Sequence, residues 1–314
     1  MLDSAKPSGS VKMTQEDFRV QEVVQGRVVQ PVFETSIVGP HSDFTEFTLT
    51  KQGVPGKSAY EEIARQLDVP IDRVTYYGLK DAQAVTAQTI VVEGQFRPTF
   101  EHNKIWLQQK GPNKGPLQRG AQDGNRFTIF VETDAQDAPR KTRFINLFGP
   151  QRFGQGSPEI GKYLLEGNFP RVLELLKGTM DWRQLEPLVA RGLSAEEVIF
   201  QSNLDLEFMV GKWWSWLWNQ LAPLTDEHYL PTWSPESAYM YVEWWNPIDL
   251  DEEMFELMHN FSRPVWVEAT NHQVLRKRGG FEHSFTLRSG SYATVFLASL
   301  YDLTDVSRQK YEEV

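Results

Sequence analysis

Alternation of apolar and polar side chains marks the strands of this chain. Residues 126–132 set Phe127, Ile129 and Val131 on one face and Arg126, Thr128 and Glu132 mostly on the other, the period of two of a half-buried strand. Residues 74–77 and 89–92 are rich in β-branched and aromatic side chains and predict two further strands, one on either side of Gly78-Leu79-Lys80-Asp81. Just before them Ser58 and Glu61 form a capping-box pattern, Ile63, Ala64 and Leu67 supply an apolar face, and Pro70 ends it, so a helix is predicted over 58–68. Beyond Gly156 the texture turns helical, with Tyr163, Leu164, Val172, Leu173, Leu175 and Leu176 in clusters separated by charged positions. In 207–221, Val210, Trp214, Leu217, Trp218 and Leu221 form one stripe at helical spacing, with Trp213 and Trp216 off it. An aromatic stretch of this kind can stack bases, but a buried helix in an acidic accessory domain accounts for it more simply. Strand texture returns in 265–269 and 281–287, punctuated by Gly279, Gly280 and Gly290. Strands, then helices, then strands predict an α+β fold in which a discontinuous domain (1–156 and 258–314) is interrupted by a mainly helical insertion (157–257).

Composition narrows the chemistry. The 314 residues include no cysteine, which removes disulfides, thiolate nucleophiles and cysteine-ligated zinc, and fits a reducing compartment. His41, His102, His228, His259, His272 and His283 lie far apart in sequence, without the close spacings of metal sites on helices or knuckles. The opening stretch MLDSAKPSGSVK lacks the apolar run of a signal peptide, and no run approaches the ~18 apolar residues of a membrane span. A cytoplasmic protein without metal or membrane association is expected.

The net charge of −10 argues against nucleic acid until its distribution is considered. Residues 1–160 carry acids and bases in equal number, and the segment 205–256 holds eleven acids against the single base Lys212. Elsewhere there are basic runs: Lys104, Lys110, Lys114, Arg119 and Arg126, and again Arg276, Lys277, Arg278 and Arg288. Such runs are either a solvated surface or an RNA footprint that avoids 205–256.

The turn Gly78-Leu79-Lys80-Asp81 presents a carboxylate at a strand end, a position that suits catalysis as well as ordinary turn capping. The wider string decides more. Gly78-Leu79-Lys80-Asp81-Ala82-Gln83-Ala84-Val85-Thr86-Ala87-Gln88 resembles the GxKDxxAxTxQ signature of the TruD family of pseudouridine synthases, in which the Asp is catalytic. Four further pieces follow the family's order. Asp17-Phe18-Arg19-Val20-Gln21-Glu22 is similar to its DFxVxE element, and Gly124-Asn125-Arg126-Phe127 to its GNxF strand. Asn146-Leu147-Phe148-Gly149-Pro150-Gln151-Arg152-Phe153-Gly154 is similar to its NYFGxQRFG element. Phe285-Thr286-Leu287 with Gly290-Ser291-Tyr292-Ala293-Thr294 resembles its FxLPxGSYAT stretch. The chain departs from the pattern at Ala82 and Gln83, where basic residues usually follow the Asp, at Arg288 in place of Pro, and at Ala298-Ser299 in place of an Arg-Glu pair.

The resemblance implies a catalytic domain with a mixed or antiparallel sheet, interrupted by a TruD-type insertion. It also implies a cofactor-free isomerisation of uridine to pseudouridine in RNA, at uridine 13 of tRNA, by a monomer with Asp81 as the catalytic carboxylate. A carboxylate is already ionised at neutral pH and can add to C1′ or take the C2′ proton without metal or activating base. The target nucleotide must leave its stack. The resemblance then makes Phe127 the stacking face and Asn125 the positioning group, with Phe18 also lining the site. Lys80 holds a phosphate or pairs with Asp81, Arg152 binds RNA or braces its loop, Gln151 shapes the wall, and Glu22 partners a basic residue. Phe127 on an apolar strand face is equally a core position, and Asn125 beside Gly124 equally a turn residue. The alternatives are an RNA-binding or chaperone protein of the same fold, a synthase acting on another RNA, or a carboxylate hydrolase. The last would need a second carboxylate about 5 to 10 Å away.

Overall fold

A computed structural model describes residues 6–40, 42–154 and 156–306; His41 lies outside the described residues. The chain forms two compact units, Met1–Phe144 with Glu268–Val314, and Ile145–Val267.

In the first unit the strands are β1 (Ser8–Val11), β2 (Phe18–Val24), β3 (Arg27–Val28), β4 (Phe44–Gln52), β5 (Val74–Tyr76), β6 (Val85–Glu93), β7 (Ile105–Pro112) and β8 (Gly124–Glu132), followed by Thr270–Lys277, Gly280–Arg288 and Asp302–Asp305. Seven of them run side by side in the order Thr270–Lys277, Gly280–Arg288, β8, β2, β6, β4, β7. All neighbours in this row are antiparallel except β2 and β6. β1 adds a second parallel pair with Asp302–Asp305, so the sheet is mixed and joins the two ends of the described chain.

Register explains where the core sits and where it is interrupted. Phe47, Ile90, Phe18, Ile129 and His283 share one face with Leu49, Val20, Phe127 and Phe285, because cross-strand partners point the same way. Helix α1 (Gly56–Leu67) covers one half of this face with Ala59, Tyr60, Ile63 and Leu67, all packed with Phe47, Leu49 and Ile90 in one cluster. Helix Ala293–Ala298 covers the other half, its Phe296 ring 4.6 Å from Phe285. The same face also carries polar residues: Lys51 opposite Thr86, and one step further along β6 Gln88, level with Glu22 opposite Asn125. These make a polar row, buried at Glu22, Lys51, Thr86 and Gln88 and half-buried at Asn125, in a mainly apolar face, and such a row must be hydrogen-bonded internally or serve a ligand.

α1 begins at Gly56, two residues ahead of the predicted start, with Pro55 at the N-cap and no side-chain cap. Ser58 therefore falls inside the first turn, so the Ser58–Glu61 capping box does not form. Proline's fixed φ supplies the entry geometry instead. Asp68 closes the helix in the left-handed conformation, φ 59°. The strand predicted at 89–92 reaches back to Val85, buried along nearly its whole length, which is why its apolar and polar residues do not alternate.

The second unit is mainly helical, with a two-stranded pairing of Tyr229–Pro231 and Ser262–Pro264. Its helix Leu206–Leu221 buries Val210, Trp214, Leu217 and Trp218, and also Trp213, which stacks on Trp216 at 4.9 Å. The helix is thus covered on more than the predicted stripe.

Candidate active site

Asp81 lies in the turn that leads into β6, at the end of the sheet where the polar row begins. Its Oδ1 accepts from the backbone N–H of Gln83 at 2.9 Å, the two-residue loop an Asp favours in turns. Its Oδ2 accepts from Lys12 Nζ at 2.8 Å, and its backbone carbonyl accepts from Lys51 Nζ at 2.7 Å. The Asp81 side chain keeps 18 % of its surface open, so the carboxylate is oriented by three anchors and still reachable.

Lys12 and Lys51 were not among the residues picked out from the sequence. Lys12 ends the β1 segment with φ 61°, is buried, and lies 4.7 Å from the Phe18 ring centroid. It also reaches Asp305 Oδ2 at 3.2 Å, so one ammonium joins two carboxylates far apart in sequence. Lys51 is fully buried, and burial pulls its pKa down to about 8 against the opposing pull of the Asp81 charge.

Lys80 does not pair with Asp81. Its ammonium turns inward and donates to Glu22 Oε1 at 2.7 Å, while Glu22 Oε2 accepts from the Thr89 N–H at 2.9 Å. Lys80 and Asp81 therefore part company: one joins the polar row, the other keeps part of its carboxylate exposed. Glu22 is fully buried and has this one cationic partner among the described residues.

Phe127 is 7 % exposed, stacked on Phe285 at 5.5 Å and met edge-on by Phe18 at 6.4 Å. The ring belongs to the aromatic core, so it does not present the stacking face expected of it. Asn125 lies on the same strand two residues earlier. Its Oδ1 is buried without a hydrogen-bond partner among the described residues, as is Gln88 Oε1. Gln88 Nε2 meanwhile donates to Tyr60 Oη at 2.7 Å.

Gln151 and Arg152 belong to the second unit, on the short helix Pro150–Phe153. Arg152 Nε donates to Ser215 Oγ at 3.1 Å, and its guanidinium lies 4.7 Å from the Trp214 ring. The preceding loop is braced by Arg263, which donates to the Asn146 carbonyl at 2.7 Å and lies 4.0 Å from the Phe148 ring. Phe148 and Asn219 exchange two hydrogen bonds.

His272 and His283, distant in sequence, meet across the hairpin at 3.0 Å, and His283 Nε2 is 2.8 Å from Tyr301 Oη. Strand pairing creates this contact, which linear spacing does not show. Among the described residues no helix is long and apolar enough to cross a membrane.

The sequence and the fold both have counterparts among known proteins. A tRNA pseudouridine synthase D from Syntrophotalea carbinolica is 31 % identical over 199 residues, covering 56 % of this chain and 47 % of its own length. One from Anaeromyxobacter is 34 % identical over 174 residues, covering 51 % and 46 %. The chain thus spans about half the length of these curated relatives. A crystal structure of a tRNA pseudouridine synthase D from Methanosarcina mazei superposes with a TM-score of 0.59 at 18 % identity, over 96 % of this chain and 95 % of that one, which identifies the same fold. Residues 1–191, more than half of the chain and the stretch containing Lys12, Glu22, Lys51, Asp81 and Asn125, match the family model described as tRNA pseudouridine synthase D (TruD), and on that match the chain belongs to the TruD family.

Proposed function

We propose that this protein isomerises uridine to pseudouridine in tRNA, at uridine 13, with Asp81 as the catalytic carboxylate. One observation carries the reading: the carboxylate of the family's signature turn is held by Lys12 and the Gln83 N–H with part of its surface open, beside a polar row in which Asn125 Oδ1 and Gln88 Oε1 have no partner among the described residues. The reaction breaks N1–C1′, turns the base, and joins C5 to C1′; the C5 proton leaves and N1 gains one, so nothing is oxidised and no group departs. Asp81 acts at the sugar, either adding to C1′ or removing the C2′ proton, and both routes use the ionised form. Lys12 pairs with that form and fixes its direction, a positioning role. Asn125 Oδ1, an acceptor with no donor of its own, suits the N3–H that uracil offers and cytosine lacks. Phe127 and Phe18, buried at 7 % and 2 % exposure, back the site from the core and do not offer a stacking face for the extruded base.

The test is to incubate the purified protein with unmodified tRNA transcripts and map pseudouridine by carbodiimide-blocked primer extension. A single stop at uridine 13 is expected. Stops only at other positions would overturn the site assignment, and no stop in any transcript would overturn the activity.

A further inference from the structure

Beside the signature turn lies a groove of about 600 Å³ whose lining includes Lys57, Ile71, Tyr76, Leu79, Leu117 and Arg119. We propose that this groove seats the unstacked base of a nucleotide neighbouring the target uridine in the same RNA. The inference rests on the reading above and adds a subsite to it.

Three observations point to a base. The first is the fixed aromatic floor. Tyr76 stacks on the buried Tyr60 at 3.8 Å with the rings 15° apart, and Tyr60 is itself tied to Gln88. The second is a cation arranged around that ring. Arg119 donates to Tyr76 Oη at 2.6 Å with its guanidinium 4.7 Å from the ring centroid. The loop that bears it is pinned to β5 by Leu117 N–H to Thr75 Oγ1 and to the following residue by Gly120 N–H to the Tyr77 carbonyl. The third is exposed apolar surface where water would otherwise lie: Leu79 is 60 % and Ile71 50 % exposed. With Tyr60 stacked on Tyr76 and the Arg119 guanidinium over the same ring, the surface offered to a base is the guanidinium plane flanked by Ile71 and Leu79, and stacking on a guanidinium plane is open to any base.

Position selects the occupant. Leu79 is two residues from Asp81 in one turn, within about 7 Å of extended backbone, so an occupant of the groove adjoins a nucleotide at the carboxylate. Lys57 and Arg119 are balanced by Glu61 and Asp72. That neutrality fits one base with its phosphate better than the dense charge of a duplex.

The test uses two fluorescein-labelled probes of equal length, a single-stranded oligouridylate and a base-free phosphodiester oligomer, with the wild type, Ile71→Ser and Leu79→Ser. Both side chains are largely exposed, so the variants should unfold at the wild-type temperature, checked by circular dichroism. Each variant is expected to bind oligouridylate at least about 5-fold more weakly and the base-free oligomer as the wild type does. Unchanged oligouridylate affinity in both variants, or equal losses with both probes, would overturn the subsite. Pseudouridine mapping on tRNA transcripts separates the two claims. Product without the base-dependent loss removes only the groove, whereas a base-dependent loss without product removes only the proposed activity.

Discussion

The residues around Asp81 divide into those that hold it and those that would meet a nucleotide, and each group makes a distinct prediction. Lys51 is the buried cation on the Asp81 carbonyl, with its pKa lowered to about 8 chiefly by burial. Between pH 8 and 10.5 the unfolded chain holds a proton on this amine that the folded chain lacks, so Lys51 makes stability rise with pH across that window. Urea midpoints of the wild type should therefore climb relative to those of Lys51→Met between pH 8 and 10, and parallel curves would contradict the burial argument. The Lys80–Glu22 pair is different, since both partners are buried and depend on each other. Glu22→Gln should cost about 3–5 kcal/mol by leaving Lys80 uncompensated, and adding Lys80→Met should recover most of it. The check is denaturant unfolding of the single and double variants; additive losses would show that the two side chains are not coupled.

At the scale of elements, the sequence made the local patterns readable and left the long-range ones hidden. The alternation of Phe127, Ile129 and Val131 located β8, and the spacing of Val210, Trp214, Leu217 and Trp218 located a helix, because both signals lie within a few residues of one another. Ser58 and Glu61 misled because a capping-box pattern is short enough to arise inside a helix that Pro55 starts. Asp81 stood out through its motif, yet Lys12, Lys51 and Asp305 did not, since the contacts come from β1, β4 and the strand Asp302–Asp305, brought together only by sheet register. The resemblance implies a phosphate or Asp81 for Lys80, and its Glu22 partner, on β2, is out of sight in the sequence because only the fold brings the two together. The hairpin of Thr270–Lys277 and Gly280–Arg288 shows the same effect in its histidine pair. Burial, with His272 nearby, pushes the His283 pKa down to about 4. The unfolded chain then takes up a proton that the folded chain refuses between about pH 6.5 and 4, so stability falls as pH falls through that window. His283→Gln should flatten this acid loss in thermal unfolding; an unchanged slope would place the acid sensitivity elsewhere.

For the molecule as a whole, charge is partitioned between the two units. The acidic run 205–256 lies in Ile145–Val267, while Lys104, Lys110, Lys114, Arg119 and Arg126 lie in the unit that carries Asp81. RNA held through phosphates should weaken steeply with salt, and each basic side chain that contacts one phosphate should lower the slope of log affinity against log salt by about 1 when replaced by Ala. Lys110→Ala and Lys114→Ala test this in filter-binding titrations, and a salt-independent affinity would show that these runs are only a solvated surface. Ultraviolet crosslinks to bound tRNA are expected in the first unit and absent from 205–256.

The claim on which the rest depends is that the Asp81 carboxylate performs the isomerisation. It is tested most directly by single-turnover reaction of Asp81→Asn with a tRNA transcript at saturating protein, alongside the dissociation constant of the same complex. The variant should bind within about 3-fold of the wild type while its rate falls by at least about 10²- to 10⁴-fold. Pseudouridine formed at the wild-type rate by Asp81→Asn would contradict the account.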